Sequence, residues 1–153
     1  MVHKIEIQYP EQGLLKNRRR LESAYAFTCF DRVPVILGIE ARYLLNVRGV
    51  TFAEYFSDPK TQLIHQLENI KWRIENVPDD WFTEPKITVS PDFQNITNAS
   101  GCGCEIFWQE NETPQTVQCI STIDEMIHHR LPDWRTTLWG KRLEWYFQMK
   151  ELV

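Results

Sequence analysis

Val33-Pro34-Val35-Ile36-Leu37-Gly38-Ile39 is the stretch on which the fold turns. A continuous apolar run without polar alternation gives a strand two apolar faces, and both need cover. That pattern belongs to strands inside a parallel sheet with helices on either side. Asp31-Arg32 turns the chain into the run. Upstream, the spacing predicts a first helix over about Gln12 to Phe27, with Leu14, Leu21, Ala24 and Tyr25 toward the core. Downstream, Ser57-Asp58-Pro59 sets a capping side chain before a proline at the first helical position. Leu63, Leu67, Ile70 and Ile74 then recur at spacings of four, three and four. That stripe predicts a helix from Pro59 to Glu75, ended by Pro78.

Lys86-Ile87-Thr88-Val89 reads as a second short strand. Cys104 to Trp108 alternates in part and reads as a third, pairing with Thr116 to Ile120 across a turn at Asn111 to Pro114. Ser121 with Asp124 and Glu125 opens another helix. Leu138, Trp145, Tyr146, Met149 and Leu152 give the last helix an apolar side, along which the stem of Arg142 can lie. Helix, strand, helices, strand, hairpin, helix, helix is an α/β order. Two sheet-core strands and a hairpin are too few to close a ring. Either the hairpin completes an open sheet, or other protein supplies the missing strands.

The 153 residues fit one domain, 1–153, with 42% hydrophobic and 25% charged residues arguing against disorder. A net charge of −4 disfavours nucleic acid, whose phosphates require clustered Lys and Arg. The one basic cluster, Lys16 to Arg20, reads as the solvated face of the first helix rather than as a phosphate or RNA patch. No segment approaches about 18 apolar residues, so no membrane span is expected. Met1 to Pro10 lacks the apolar core of a signal peptide, which points to the cytoplasm and makes the three Asn-x-Ser/Thr sequons chance matches. There the four cysteines are expected as thiols. Six Trp, eight Phe and five Tyr are more than one small core needs, so some should cover a surface that meets something else.

Several groups invite chemistry. Cys102 and Cys104, with Cys119 and His128 or His129, form a donor set for a metal, although structural zinc sites usually space their cysteines by about two to four residues. Small buried cysteines flanking a Gly turn are the plainer reading, and no metal is assigned. His128-His129 suits the negative end of the preceding helix. His65 is offset from the Leu63–Leu67 stripe and should be exposed. Asp79-Asp80, in a Pro-bounded turn, reads as a solvated pair rather than a catalytic one.

Asp31-Arg32-Val33-Pro34-Val35 after an Arg-rich helix resembles the start of the uroporphyrinogen decarboxylase superfamily. Ala41-Arg42-Tyr43-Leu44 is similar to that family's Gly-Arg-Tyr-Leu motif. Thr51 to Pro59 is similar to its lead into the next helix. Val77-Pro78-Asp79-Asp80, Ser90-Pro91-Asp92-Phe93 and Cys102 to Trp108 look more like the corrinoid-dependent methyltransferase branch. The likeness runs from about Arg18 to Met149.

The resemblance implies a fold: the N-terminal portion of a (β/α)8 TIM-type barrel with an inserted β-hairpin, the barrel incomplete. It implies a fragment or split subunit that contributes part of a tetrapyrrole or methyl-transfer site and is not active alone. A missing C-terminal half or a second copy would be the partner, with a corrinoid protein in the methyltransferase branch. This chain alone would bind no cofactor; corrinoid and zinc belong to a complete family member, whose zinc-holding His-x-Cys motif does not occur here. Arg42 and Tyr43 are implied as substrate-binding and Asp92 as catalytic. Gly38 stands where the decarboxylases carry a first arginine, which speaks against porphyrinogen decarboxylation. From the residues alone, Arg42 equally pairs with Glu40 or Glu54 in a loop, and Asp92 more readily closes an Asx-turn or caps a helix than acts on a substrate. A different reading is a non-catalytic module that self-associates or docks through Trp134, Trp139, Trp145, Tyr146 and Phe147.

Overall fold

The computed structural model describes residues 4–29, 31–81 and 87–153. They fall into two compact units, one of Met1–Leu44 with Gln66–Val89 and one of Leu45–His65 with Ser90–Val153.

In the first unit, helix α1 spans Glu11–Tyr25. Glu11 suits the positive end of the helix dipole, and Leu14 is buried. The helix stops where Phe27 takes a left-handed φ of 53° and Thr28 returns its N–H to the Ser23 carbonyl at 2.9 Å. Tyr25, expected toward the core, is 80% exposed; the other buried position of α1 is Arg20. Helix α2, Ala41–Arg48, occupies what reads in sequence as a loop; Ala41 to Leu44 belong to this unit and Leu45 to Arg48 to the other. Tyr43, in its first turn, meets Trp72 edge-on at 6.1 Å.

Residues 33–39 form no ladder, and Val33, Val35, Ile36 and Leu37 are 48–69% exposed. One backbone edge of this run is occupied, but by aspartate side chains rather than a neighbouring strand. Of the expected second strand, Lys86 lies outside the described residues, and Ile87–Val89 are not in a ladder.

The second unit is built on aromatic rings. Helix α3, Phe52–Tyr55, is capped by Thr51, whose hydroxyl accepts from the Glu54 N–H. Helix α4, Pro59–Asn76, starts as its sequence predicts: Asp58 Oδ1 accepts from the N–H groups of Lys60 and Thr61, both at 3.0 Å. Of α4, Pro59 to His65 belongs to this unit and Gln66 to Asn76 to the other. Phe56 stacks on Phe52 and on Phe93, each at 6.1 Å, and meets Trp108 edge-on at 5.3 Å. Phe93 in turn lies 4.8 Å from Trp145. Burying rings of this size supplies most of the apolar driving force of so small a unit.

Helix α5, Ile96–Gly101, leads to a hairpin of β1, Ile106–Phe107, and β2, Gln115–Thr116. They pair antiparallel, Ile106 opposite Thr116 and Phe107 opposite Gln115, and make the only sheet among the described residues. The strands are shorter than the alternation suggested. Helix α6, Ile123–His128, opens on a capping box of Thr122 and Glu125, one residue later than the Ser121–Asp124 spacing predicts. A 3-10 turn, Trp134–Thr136, precedes helix α7, Leu138–Glu151. Trp145 is 4% exposed and belongs to the core, not to the aromatic surface expected of it.

Gly140 lets α7 start so close to that turn. A Cβ there would come within 2.2 Å of the Arg135 carbonyl oxygen. Alanine favours helix over glycine by about 1 kcal/mol, yet this overlap is with backbone and has no flexible atom to yield. Gly140→Ala should therefore lower stability by about 1–3 kcal/mol, seen as a reduced thermal midpoint.

Candidate functional site

Asp79 and Asp80 are heavily hydrogen-bonded, nearly buried side chains of the first unit, not a solvated pair. Asp80 is 1% exposed. Its Oδ1 accepts from Arg20 Nη1 and, at 2.8 Å, from Arg32 Nη2. Its Oδ2 accepts from Arg32 Nη1 at 2.5 Å and from the Val35 N–H at 2.8 Å, while its own N–H donates to the Val35 carbonyl at 2.8 Å. Arg20 also forks onto Asp31, at 2.7 and 2.6 Å. Asp79 Oδ2 accepts from the Leu37 N–H at 2.9 Å and from Arg73 at 2.8 Å, and Arg73 donates again to the Leu37 carbonyl. Two adjacent carboxylates thus hold alternate residues, Val35 and Leu37, in extended conformation. Arg20 is the one member of the basic cluster turned inward; Arg18 pairs along the helix with Glu22.

The charges of this network reinforce one another. Burial alone would raise the Asp80 carboxyl, but hydrogen bonds from the Val35 N–H, Arg32 and Arg20 outweigh it and hold it below the ordinary carboxylate range. Asp31 is held low by its bonds from Arg20, and Arg20 is held high chiefly by Asp31.

In the second unit, Gln62 and Asp92 make a reciprocal pair. The Gln62 amide N–H donates to the Asp92 carbonyl and its oxygen accepts from the Asp92 N–H, both at 2.8 Å. The Asp92 carboxylate accepts from Tyr55 OH at 3.1 Å and from the Gln94 N–H at 2.8 Å, with Gln94 at a left-handed φ of 56°. These bonds describe an Asx-turn after Pro91. His65, expected exposed, is only 7% exposed. Its Nε2 faces Glu54 Oε1 at 3.1 Å and its Nδ1 faces Arg48 Nη2 at 3.2 Å. Since a guanidinium can only donate, Nδ1 accepts and the proton sits on Nε2. Burial lowers the imidazole pKa; Glu54 opposes this, and the Arg48 charge adds to it. Gln62 and His65 of α4 are buried in this unit and Asn69 in the part of α4 that belongs to the other, which the leucine stripe does not reveal.

Arg42 lies in the first turn of α2, exposed, with no hydrogen-bond or ion-pair partner among the described residues. Glu54, one of its expected partners, takes His65 instead. Arg42 and Tyr43 belong to the first unit and Asp92 to the second.

Comparison with family models, curated protein sequences and solved structures finds no match. The candidate chemistry therefore rests on these side chains. Among the described residues, no group of three or more His, Cys, Asp or Glu is placed to hold a metal ion. An open cleft of about 520 Å3 beside the start of α7, lined in part by Ser100, Arg135, Lys141 and Glu144, carries no sequence motif that would have revealed it.

Proposed function

We propose that this chain is the N-terminal part of a uroporphyrinogen decarboxylase-like α/β barrel, nearer the corrinoid-dependent methyltransferase branch, and acts in the cytoplasm. The observation that supports this reading is the extended run Val33–Leu37. Its apolar side chains stand half-exposed while one backbone edge is held by Asp79 and Asp80. A run of this kind gains by acquiring strand and helix neighbours, supplied by a C-terminal half or a second copy. No described helix is long and apolar enough to cross a membrane.

In this reading Arg42 offers a guanidinium fork to a carboxylate of a tetrapyrrole or corrin, just beyond the run. Tyr43, packed on Trp72, flanks it. The same resemblance implies Asp92 as a catalytic carboxylate, held in its turn by Tyr55 and Gln62. The test is absorbance titration of the full chain with an octacarboxylate porphyrin and with hydroxocobalamin. One of them should bind, and Arg42→Gln should weaken it about tenfold, the value of one charged hydrogen bond. Binding of neither ligand, or equal binding by the variant, removes the reading.

A second reading has its own support. Trp139, Leu143, Tyr146 and Phe147 stand exposed on α7, as an interface core requires. They would join a second copy of this chain as a non-catalytic module. Phe147→Glu should then weaken self-association at least tenfold in sedimentation equilibrium; a wild type that is monomeric at every concentration ends this alternative.

A further inference from the structure

The cleft of about 520 Å3 beside the start of α7 lies within the second unit, and no part of the proposed function uses it. Its walls are fixed by short contacts. The Ser100 hydroxyl oxygen accepts from the Leu138 N–H at 3.0 Å, which ties α5 to α7. The Arg135 backbone packs on Gly140 too closely to admit a side chain there. The first N–H groups of α7 are already taken, Leu138 by Ser100 and Trp139 by the Thr137 hydroxyl at 3.2 Å. What remains for a ligand is the side chains.

Two of these are cations. Lys141 Nζ lies 5.0 Å from the Trp145 ring and 5.5 Å from the Phe93 ring, a cation–π seat rather than an ion pair. It has no hydrogen-bond or ion-pair partner among the described residues. Arg135 reaches Asp133 through one nitrogen and only at 3.4 Å, so most of its guanidinium donors stay open. The Ser100 hydroxyl proton has no acceptor among the described residues. Two other groups can only accept. Thr136 spends its proton on the Asp133 carbonyl at 2.8 Å. Glu144 takes a bond from Gln148 on one oxygen, and its other oxygen has no partner among the described residues.

We propose that this cleft binds the phosphate monoester of a small polyol, a sugar phosphate in kind. Two cations against one carboxylate favour an anion, and a guanidinium fork, an ammonium and a serine O–H match the acceptor oxygens of a phosphate. The hydroxyls of the ester suit Thr136 and Glu144. A bare phosphate would meet the Glu144 charge with no hydroxyl to offset it. A nucleotide fits less well, because Trp145 is buried beneath Lys141 and has no open face on which a base could stack. The volume lies within the roughly 300–1,000 Å3 of small-molecule sites.

The test is isothermal titration calorimetry of the full chain with glucose 6-phosphate, inorganic phosphate, glucose and adenosine monophosphate at constant ionic strength. Glucose 6-phosphate should bind at least tenfold more tightly than inorganic phosphate or the nucleotide, and glucose not at all. Its affinity should rise as pH passes upward through about 6, where the ester becomes a dianion. Lys141→Met keeps an apolar stem over the rings, and Arg135→Gln alters an exposed side chain that the fold does not need. Each should weaken binding about tenfold, the value of one charged hydrogen bond. Glu144→Gln should narrow the preference for the ester over inorganic phosphate. No heat with glucose 6-phosphate, inorganic phosphate or the nucleotide bound as tightly, or unchanged affinity in Arg135→Gln overturns the proposal.

Discussion

Asp80→Ala should lower the unfolding free energy by about 3 kcal/mol, the low end of what removing one partner from a buried ion pair costs. Removing the carboxylate takes away four hydrogen bonds, from Arg20, twice from Arg32, and from the Val35 N–H. Two circumstances keep the loss from the upper end. Arg20 retains its fork onto Asp31, and half-exposed Val35 can turn to water. Arg32 is half-exposed, so Arg32→Ala should cost under about 1 kcal/mol. The ordering separates a buried anchor from surface pairing, and urea unfolding reads it as a shift of midpoint at constant slope. An Asp80 variant no weaker than the Arg32 variant would show that the clamp contributes nothing. Against a total of about 5–15 kcal/mol for a domain, the expected loss is large.

The same network sets a pH dependence. Asp80 and Asp31 titrate lower in the folded chain than the ordinary value of 3.8. The unfolded state therefore binds protons first as pH falls, and the contribution of the pair is complete above about pH 4 and lost below it. Wild-type stability should fall as acid is added through that region, and Asp80→Asn should flatten the fall.

Local pattern and long-range partnership explain what could be read from the sequence. The start of α4 was legible because Asp58 and Pro59 act within their own turn, and the hairpin was legible because alternation and turn residues lie side by side. Helix α2 was not, since Ala41–Arg48 is barely two turns and has no capping side chain before it to announce a start. Asp79-Asp80 looks solvated because its partners Arg20, Arg32 and Arg73 lie on other segments. The buried polar positions of α4 failed for a related reason. Polar Gln62 and His65 mimic a solvent face, and their partners, Glu54 and Arg48 for the histidine and the backbone at Asp92 for the glutamine, lie on other segments. As for the site, Asp92 is engaged by the turn its sequence allowed, and Arg42 is free as a binding residue must be. No local spacing points to Gln62 or Tyr55 as the groups that hold Asp92.

Gln62→Leu should cost about 2–4 kcal/mol, although leucine nearly matches its volume and transfers to an apolar site far more readily. Gln62 is fully buried, and its amide answers both backbone groups of Asp92 as a paired strand would. Leucine gains the transfer energy of a few methyl groups, on the order of 1–2 kcal/mol. Against that, it leaves a backbone donor and a backbone acceptor without partners, at roughly 1–3 kcal/mol each, and withdraws a weaker contact to the Tyr55 carbonyl at 3.5 Å. The polar loss wins. Gln62→Glu sharpens the case, because a carboxylate can accept from the Asp92 N–H but only repels its carbonyl. At neutral pH that variant should be at least as damaged, and it should recover part of the loss as acid protonates the glutamate and restores a donor. If Gln62→Leu proves as stable as wild type in urea, the turn at Asp92 is held by Tyr55 and Gln94 alone.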